Sequence, residues 1–287
     1  MERDLSELTG AITAALPSMT KLESRIASYI LARPQMLLVD TSAEIARTLG
    51  VSPMTVTRFY RKLGFDGALA ARAAARRTAF GPETRRIDQR FASAAALRQS
   101  TDQRADVELG HAALDAAFAL RESPGWQAVV DLTAHADSVH AIGFQTMHYL
   151  ADGLCRRLSY LRDRVHILDG IDGVYAGLLP SPGERITLIM IDTFRYGAHG
   201  PLLARLARER GVDVVVFADE FCEWAGAITP HVLRYPAETR FVLSLPVGIS
   251  TGLTLLLQDV AANLGDSARQ RIEKLSDAQD HFGLFLE

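Results

Sequence analysis

The sequence predicts an all-α helix-turn-helix domain followed by an α/β domain with a five-stranded parallel sheet. Residues 1–80 show apolar positions at helical spacings of three and four. Beyond residue 106 the pattern changes to short apolar runs separated by amphipathic stretches, which is typical of a parallel sheet covered by helices. Charged and polar residues dominate 81–105. We therefore predict a helix-turn-helix domain over 1–80, a partly helical linker over 81–105 and the α/β domain over 106–287.

The composition fits a protein with two hydrophobic cores, because the chain has 287 residues and is 48% hydrophobic. The longest apolar run, Val242 to Leu257, is interrupted by polar residues and is shorter than the roughly 20 residues of a membrane-spanning helix. The start of the sequence does not resemble a secretory signal. The two cysteines, Cys155 and Cys222, fit no metal or redox spacing. These features predict a cytoplasmic protein without a membrane partner.

The charge is distributed unevenly along the chain. Residues 1–90 contain 14 Lys and Arg against 9 Asp and Glu, a net +5, and the remainder contains 17 against 25, a net −8. A basic N-terminal domain is what a partner rich in phosphates requires.

The N-terminal segment contains signals for successive short helices. Leu5, Leu8, Ile12 and Leu16 mark the buried face of the first helix, which Pro17 interrupts. Capping boxes then predict two further helices, in which a threonine and a glutamate three residues later satisfy free backbone amides. They are Thr20 with Glu23 and Thr41 with Glu44, and the helices end before Pro34 and at Gly50.

Ser52 and Pro53 predict the cap and the first residue of a fourth helix, which ends near Leu63 and Gly64. Gly50 supplies the left-handed conformation that a tight turn between helices demands, and Ala46 allows the two helices to cross closely. Together these residues indicate a helix-turn-helix. A further alanine-rich helix is predicted after Gly67; its arginines either contact phosphates or solvate its exposed side.

The outward face of the fourth helix carries residue types that contact DNA. Thr55 and Arg58 lie where side chains reach base edges, whereas Arg61 and Lys62 are better placed for phosphates. The alternative is an ordinary solvated helix face. The predicted DNA-binding residues are Ser52, Thr55, Thr57, Arg58, Arg61 and Lys62.

Five strands are predicted in the second domain: Ser138–Gly143, Val165–Leu168, Ile186–Asp192, Val212–Ala218 and His231–Tyr235. Small molecules bind such sheets at the carboxyl ends of the strands, where the winding reverses. The two loops at this place follow the first and third strands. Their candidate ligand-binding residues are Gly143, Gln145, Thr146, His148, Asp192, Thr193, Arg195 and Tyr196.

Arg195 is the best single candidate to bind an anionic group, because a guanidinium forms two parallel hydrogen bonds with such a group. The alternative is a salt bridge that holds the loop, for example to Asp192. His148 and His199 are better explained as surface or capping histidines. No spacing for a catalytic triad, zinc site or phosphate-binding loop is present in the sequence, so no catalytic residue, metal or cofactor is predicted. Asp219 and Glu220, after the fourth strand, are interpreted as helix caps.

From Ile45 to Phe65, and above all over Val51-Ser52-Pro53-Met54-Thr55-Val56-Thr57-Arg58-Phe59-Tyr60, the sequence resembles the RpiR/MurR-type bacterial regulators. The stretch from Leu206 to Gly211, leading into Val214–Phe217, is similar to the sugar isomerase (SIS) domain of that family. The resemblance covers essentially the whole chain. It implies an SIS-like αβα sandwich as the second domain, and it implies DNA contact by Ser52, Thr55 and Arg58.

The presumed ligand loops depart from the family pattern. Gln145 and Met147 stand after the first strand, and Asp192 and Phe194 after the third, where family members commonly have glycine or serine. Hydroxyls that usually bind a sugar phosphate are therefore missing, and an acid has been added. The departures leave three options: a different anion, a ligand without phosphate, or a domain kept mainly for oligomerisation.

Three functions follow as hypotheses. The first is a homodimeric or homotetrameric regulator that binds double-stranded DNA and responds to a sugar phosphate, sugar acid or other anion. The second is a phosphosugar isomerase with a fused helical domain. The third is a DNA-binding protein whose SIS-like domain has lost its ligand.

Overall fold

The computed structural model describes residues 5–32, 42–68, 70–71, 103–171, 173–193, 196–236 and 246–284. The chain divides into two compact units, Met1–Ser100 and Thr101–Glu287. The predicted linker at 81–102, the alanine-rich helix from 72 onward and the cap at Thr41 lie outside the described residues.

The described part of the first unit is helical. Its helices are α1 (Leu5–Ala15), α2 (Lys21–Ala32), α3 (Ser42–Leu49) and α4 (Pro53–Lys62). Their apolar faces meet in a small core that includes Leu8, Ile12, Ile26, Ile45 and Phe59, each at most 2% exposed. The helical periodicity predicted the burial of Leu8 and Ile12 correctly, whereas Leu16 begins a 3₁₀ turn and is only partly buried.

The capping box at the start of α2 is confirmed. The backbone N–H of Thr20 donates to Glu23 Oε2 over 2.8 Å, and the backbone N–H of Glu23 donates to Thr20 Oγ1 over 3.3 Å. The same carboxylate also pairs with Lys62 Nζ at 2.9 Å, which ties the end of α4 to the start of α2.

The turn between α3 and α4 has the geometry that Gly50 predicts. Gly50 has a φ of 62°, and the N–H of Val51 donates to the carbonyl of Ala46 over 2.9 Å. This pair of features closes α3 and reverses the chain within two residues. The end of α4 repeats it, because Gly64 has a φ of 83° and the N–H of Phe65 donates to the Tyr60 carbonyl over 3.0 Å.

Ser52 caps α4 as the sequence predicted. Its Oγ accepts a hydrogen bond from the backbone N–H of Thr55 over 3.1 Å, and Pro53 occupies the first turn. Replacing Ser52 with alanine is expected to destabilise the N-terminal unit by about 1 kcal/mol, because an amide in the first turn loses its acceptor. Thermal unfolding measures the loss. Ser28→Ala, on the exposed face of α2, is the matched control and should cause no comparable decrease.

The second unit is a five-stranded parallel sheet covered by helices on both faces. The strands are β1 (Ser138–Gly143), β2 (Val165–Ile167), β3 (Ile186–Asp192), β4 (Asp213–Asp219) and β5 (His231–Tyr235). Their order is β2-β1-β3-β4-β5, and every neighbouring pair is parallel. The predicted fold class is confirmed, and the strand bounds differ from the prediction by at most one residue at an end.

The remaining described helices are α5 (Gln103–Arg121), α6 (Pro124–His135), α7 (His148–Leu158), α8 (Gly200–Glu209), α9 (Glu223–Gly226), α10 (Val247–Leu264) and α11 (Asp266–Phe282). One face of the sheet packs against α6, α7 and α10, with Ile191 and Phe217 in the core. The other face packs against α8 and α9, with Met190 and Val216 in the core. Burial on both faces explains why the central strands read as continuous apolar runs.

Among the described helices, α10 alone is long and apolar enough, by length and composition, to cross a membrane. Its apolar residues are buried in the core of the second unit. Ile249, Leu253, Leu256 and Leu257 are at most 4% exposed and belong to the core below the sheet. Core packing therefore accounts for the apolarity of α10.

Candidate functional site

The exposed face of α4 presents the residues that the sequence predicted to contact DNA. Ser52, Arg58, Arg61 and Lys62 are exposed, whereas Thr55 and Thr57 are partly buried. The opposite face carries Val56, Phe59 and Tyr60, which are buried in the core of the unit. The helix is thus anchored by one side and exposes a polar, basic face on the other.

The basic side chains of this face differ in their partners. Arg58 and Arg61 form no ion pair with a carboxylate within the part of the chain that the structure describes. Lys62 binds Glu23, and this contact, together with the N–H of Thr20, lowers the pKa of the Glu23 carboxyl below its usual value. The two guanidiniums are therefore free to bind phosphates or base edges, while part of the charge of Lys62 is neutralised within the unit.

The hydroxyl groups of α4 first serve the helix itself. Ser52 Oγ and Thr55 Oγ1 lie 2.8 Å apart and share a hydrogen bond, and Thr57 Oγ1 donates to the Pro53 carbonyl over 3.1 Å. Each oxygen still has capacity to accept another hydrogen bond. We conclude that these residues shape the start of the helix in addition to any contact with DNA.

The predicted ligand loops follow β1 and β3, the two neighbouring strands between which the winding of the sheet reverses. β1 and β3 are neighbours in the sheet, and the chain leaves them toward opposite edges. In the first loop, Gln145–Met147 forms a single 3₁₀ turn that leads into α7, and Gln145 has a φ of 51°. A Cβ on Gly143 would lie 2.2 Å from the Met147 carbonyl oxygen, so the turn folds directly back over the strand end.

Phe144 brings the two loops together, which sequence reasoning did not anticipate. Its ring covers Gly197, where a Cβ would lie 2.6 Å from Phe144 Cδ1, and it also reaches Gly200 at the start of α8. The N–H of Phe144 donates to the Ile191 carbonyl over 3.1 Å, which extends the pairing of β1 and β3. An apolar ring therefore lies between the two loops at the strand ends.

Asp192 is buried at the end of β3 and accepts hydrogen bonds from its own loop. It is 2% exposed, and the N–H of Gly197 points at both of its carboxylate oxygens over 3.2 and 3.3 Å. Burial raises the pKa of this carboxyl to about 8, and the charge of Asp219 adds to the rise against the backbone N–H donors. The carboxylate fills a place where loop amides would otherwise be open to an anion.

Tyr196 and Asp219 form the second polar pair at this edge. The Tyr196 hydroxyl donates to Asp219 Oδ1, which also accepts the backbone N–H of Phe221 over 3.0 Å. Asp219 is 4% exposed, and burial together with this carboxylate raises the pKa of the Tyr196 phenol well above its usual value. The interpretation of Asp219 as a helix cap was wrong, because the residue before α9 is Cys222 and no side chain caps that helix; Asp219 instead binds Tyr196 and the N–H of Phe221.

The structure brings part of the predicted ligand set together. Asp192, Thr193 and Tyr196 share one loop that packs against Phe144, whereas Gln145, Thr146 and His148 lie exposed at the start of α7. Arg195, the leading candidate for an anion, and Phe194 lie outside the described residues. No group of three or more possible metal ligands occurs among the described residues.

Comparison with known proteins agrees with the order of the two units. Residues 7–73 match the family model of the helix-turn-helix domain of the rpiR family. No curated protein sequence matches the chain.

Two solved structures have the same fold at low sequence identity. The NanR protein of Vibrio vulnificus, complexed with ManNAc-6P, is 17% identical with a TM-score of 0.55, over 98% of this chain and 100% of that one. The sugar isomerase domain of the RpiR transcription factor from Sphaerobacter thermophilus is 22% identical with a TM-score of 0.53, over 61% of this chain and 99% of that one. The fold of the chain is therefore that of a helix-turn-helix unit joined to an SIS-type domain.

Proposed function

Because the chain is of the RpiR type, with an rpiR-family helix-turn-helix domain before an SIS-type domain, we propose that it is a sequence-specific transcriptional regulator that responds to a small metabolite. The observation that carries the proposal is the face of α4. It is anchored by a buried apolar side, capped by Ser52 and exposes the unpaired guanidiniums of Arg58 and Arg61. Such a helix fits the major groove, where arginine recognises guanine.

We propose that the protein acts as a homodimer or homotetramer. Helix-turn-helix proteins bind two half-sites about 34 Å apart, which requires two recognition helices. The segment between β2 and β3 also exposes large apolar side chains, with Ile171 86%, Val174 66% and Leu179 57% exposed. Contact with a second copy would remove this apolar surface from water.

The proposed effector site lies at the ends of β1 and β3, and its two sides differ in charge. Asp219 is buried beside Asp192, and its charge contributes to the raised pKa of that carboxyl, so a further anionic group is disfavoured on this side. The N-terminus of α7 lies on the other side, where the helix dipole favours an anion, although the N–H groups of Met147 and His148 already donate to the carbonyls of Phe144 and Gln145. We therefore propose that the phosphate or carboxylate of a carbohydrate-derived effector binds on the α7 side.

A phosphosugar isomerase is the second candidate, because a carboxyl with a pKa of about 8 has a basicity suited to a general base near neutral pH. The geometry argues against that role. Both oxygens of Asp192 face the N–H of Gly197, and the side chain is 2% exposed, so the carboxyl serves its own loop. We therefore propose a cytoplasmic regulator without catalytic activity or cofactor. Turnover of a ketose or aldose phosphate would contradict this.

The test is a fluorescence anisotropy titration of the full chain against its own upstream intergenic DNA and a shuffled duplex of equal composition. We expect preferential binding to the native sequence and a strong decrease in affinity with salt, because each neutralised phosphate adds about −0.9 to the slope of log K against log salt. Sugar phosphates and sugar acids should shift the titration. Equal affinity for both duplexes would contradict sequence-specific regulation, and insensitivity to every metabolite would favour the ligand-independent form.

A further inference from the structure

Met54 is the most exposed large apolar side chain in the described part of the first unit. It lies in the first turn of α4 and is 57% exposed. The next such side chain in that part, Leu22 on α2, is 38% exposed. A single exposed methionine is ordinary on a protein surface, so its place on the helix decides whether it carries a function.

Met54 lies at the centre of the exposed face of α4. Met54, Arg58 and Arg61 follow one another at spacings of four and three residues, which places them in one stripe along the helix. The opposite side of the helix carries the residues buried in the core, namely Val56, Phe59 and Tyr60. The methionine therefore shares its face with the two guanidiniums that are proposed to bind DNA.

The hydroxyl side chains at the start of α4 are partly engaged within the helix. Ser52 Oγ and Thr55 Oγ1 share a hydrogen bond of 2.8 Å, and Thr57 Oγ1 donates to a backbone carbonyl of the preceding turn over 3.1 Å. Thr55 and Thr57 are also partly buried. Met54 and Arg58 are thus the long side chains that the first two turns of the helix extend from the unit.

The chemistry of the major groove provides a partner for such an apolar side chain. The N-terminal residues of a recognition helix contact base edges, and the C5 methyl of thymine is the apolar group that these edges present. Methionine is unbranched and flexible, so its thioether adapts to the position of a methyl group. It offers neither a charge nor a strong hydrogen-bonding group, and a polar base edge opposite it would lose water without gaining a partner.

We propose that Met54 is a specificity-determining residue that packs on the C5 methyl group of a thymine, one helical turn away from the base that Arg58 recognises. The inference rests on the proposed function, because it requires that α4 enters the major groove. Met54 then adds an apolar contact to a face whose other contacts are hydrogen bonds and charge pairs. Salt screens the charge pairs but does not screen this contact.

The test compares two duplexes of the upstream intergenic DNA, one with thymine and one with deoxyuridine in its place. Uracil pairs with adenine as thymine does but lacks the C5 methyl. In a fluorescence anisotropy titration of the full chain, we expect the uracil duplex to bind about fourfold more weakly for each half-site. This factor corresponds to about 0.8 kcal/mol for one methyl group removed from water.

Met54→Ala is expected to remove most of the difference between the two duplexes. The variant should bind the thymine duplex about as weakly as the unaltered protein binds the uracil duplex, because either change removes one side of the same contact. The slope of log K against log salt should stay the same, because no phosphate contact is lost.

Two further variants serve as controls. Met54→Leu keeps an apolar side chain of similar volume and should keep most of the thymine preference. Leu202→Ala removes a side chain that is 58% exposed on α8 of the other unit, and it should leave the preference unchanged. Thermal unfolding checks that each variant is folded.

The outcomes separate this inference from the proposed function. A thymine preference that Met54→Ala leaves unchanged would overturn the inference, as would equal affinity of the unaltered protein for the thymine and uracil duplexes. Either result leaves the proposed function standing, provided that the native duplex is still preferred over the shuffled one. Equal affinity for the native and shuffled duplexes would instead contradict the proposed function, and this inference with it.

Discussion

Replacing Arg58 with alanine is expected to reduce affinity for the operator by roughly 5- to 150-fold, because a lost bidentate contact with a base costs about 1–3 kcal/mol. Arg58 is exposed on α4 and forms no ion pair within the described residues, so its removal leaves no buried charge behind. The fold should therefore survive the change. Fluorescence anisotropy with operator and shuffled duplexes measures the effect, and the discrimination between them should decrease together with the affinity.

Two variants separate recognition from simple charge. Arg58→Lys keeps the positive charge but loses the planar fork, so we expect an intermediate affinity with most of the specificity lost. Arg205→Ala removes an exposed arginine from α8 of the other unit and should change affinity little. If Arg58→Ala binds the operator as tightly as the unaltered protein does, α4 is not the recognition helix.

Replacing Asp192 with asparagine is expected to stabilise the α/β unit increasingly as the pH rises from about 4 to about 8. The carboxyl has a pKa of about 8 in the folded protein, against an ordinary aspartate value of 3.8. Between pH 4 and pH 8 or so, the unfolded chain releases the proton of Asp192 while the folded chain keeps it. The contribution of Asp192 to stability is therefore present below the pKa of the unfolded chain and is lost as the pH rises through the pKa of the folded protein. Asparagine does not titrate and keeps an oxygen for the N–H of Gly197.

The difference in stability between the variant and the unaltered protein should grow by at most about 1.4 kcal/mol per pH unit and level off above pH 8 or so. Thermal unfolding of the α/β unit at a series of pH values measures it. Asp163→Asn, at an exposed position between α7 and β2, is the control and should show no such trend. A difference that does not change with pH would mean that Asp192 is ionised in the folded protein.

Local sequence signals predicted most of the fold. Caps such as Ser52 and Thr20, and the turn glycine Gly50, act within a few residues of themselves, so their chemistry can be read from the sequence. The strands could be predicted for a similar reason. Both faces of the sheet are buried, and this requires continuous apolar runs such as Ile186–Asp192.

The candidate site was less predictable, because its contacts join residues that are distant in sequence. Position after β3 suggested that Asp192 and Tyr196 face a ligand, but Asp192 is buried beneath its own loop and Tyr196 donates to Asp219, 23 residues away. No pattern marked Phe144 as the ring between the two loops.

The sequence by itself determined the helices and their caps, the parallel sheet, the position where its winding reverses and the basic face of α4, because propensity, periodicity and capping depend on neighbours along the chain. Only the tertiary structure decided which of these polar groups are available. Lys62 is paired with Glu23, the acids at the ends of β3 and β4 are buried, and one nitrogen of His140 has no hydrogen-bond partner among the described residues. The physical reason is that burial, and with it the pKa and the free hydrogen-bonding capacity of a side chain, depends on which distant segments pack against it.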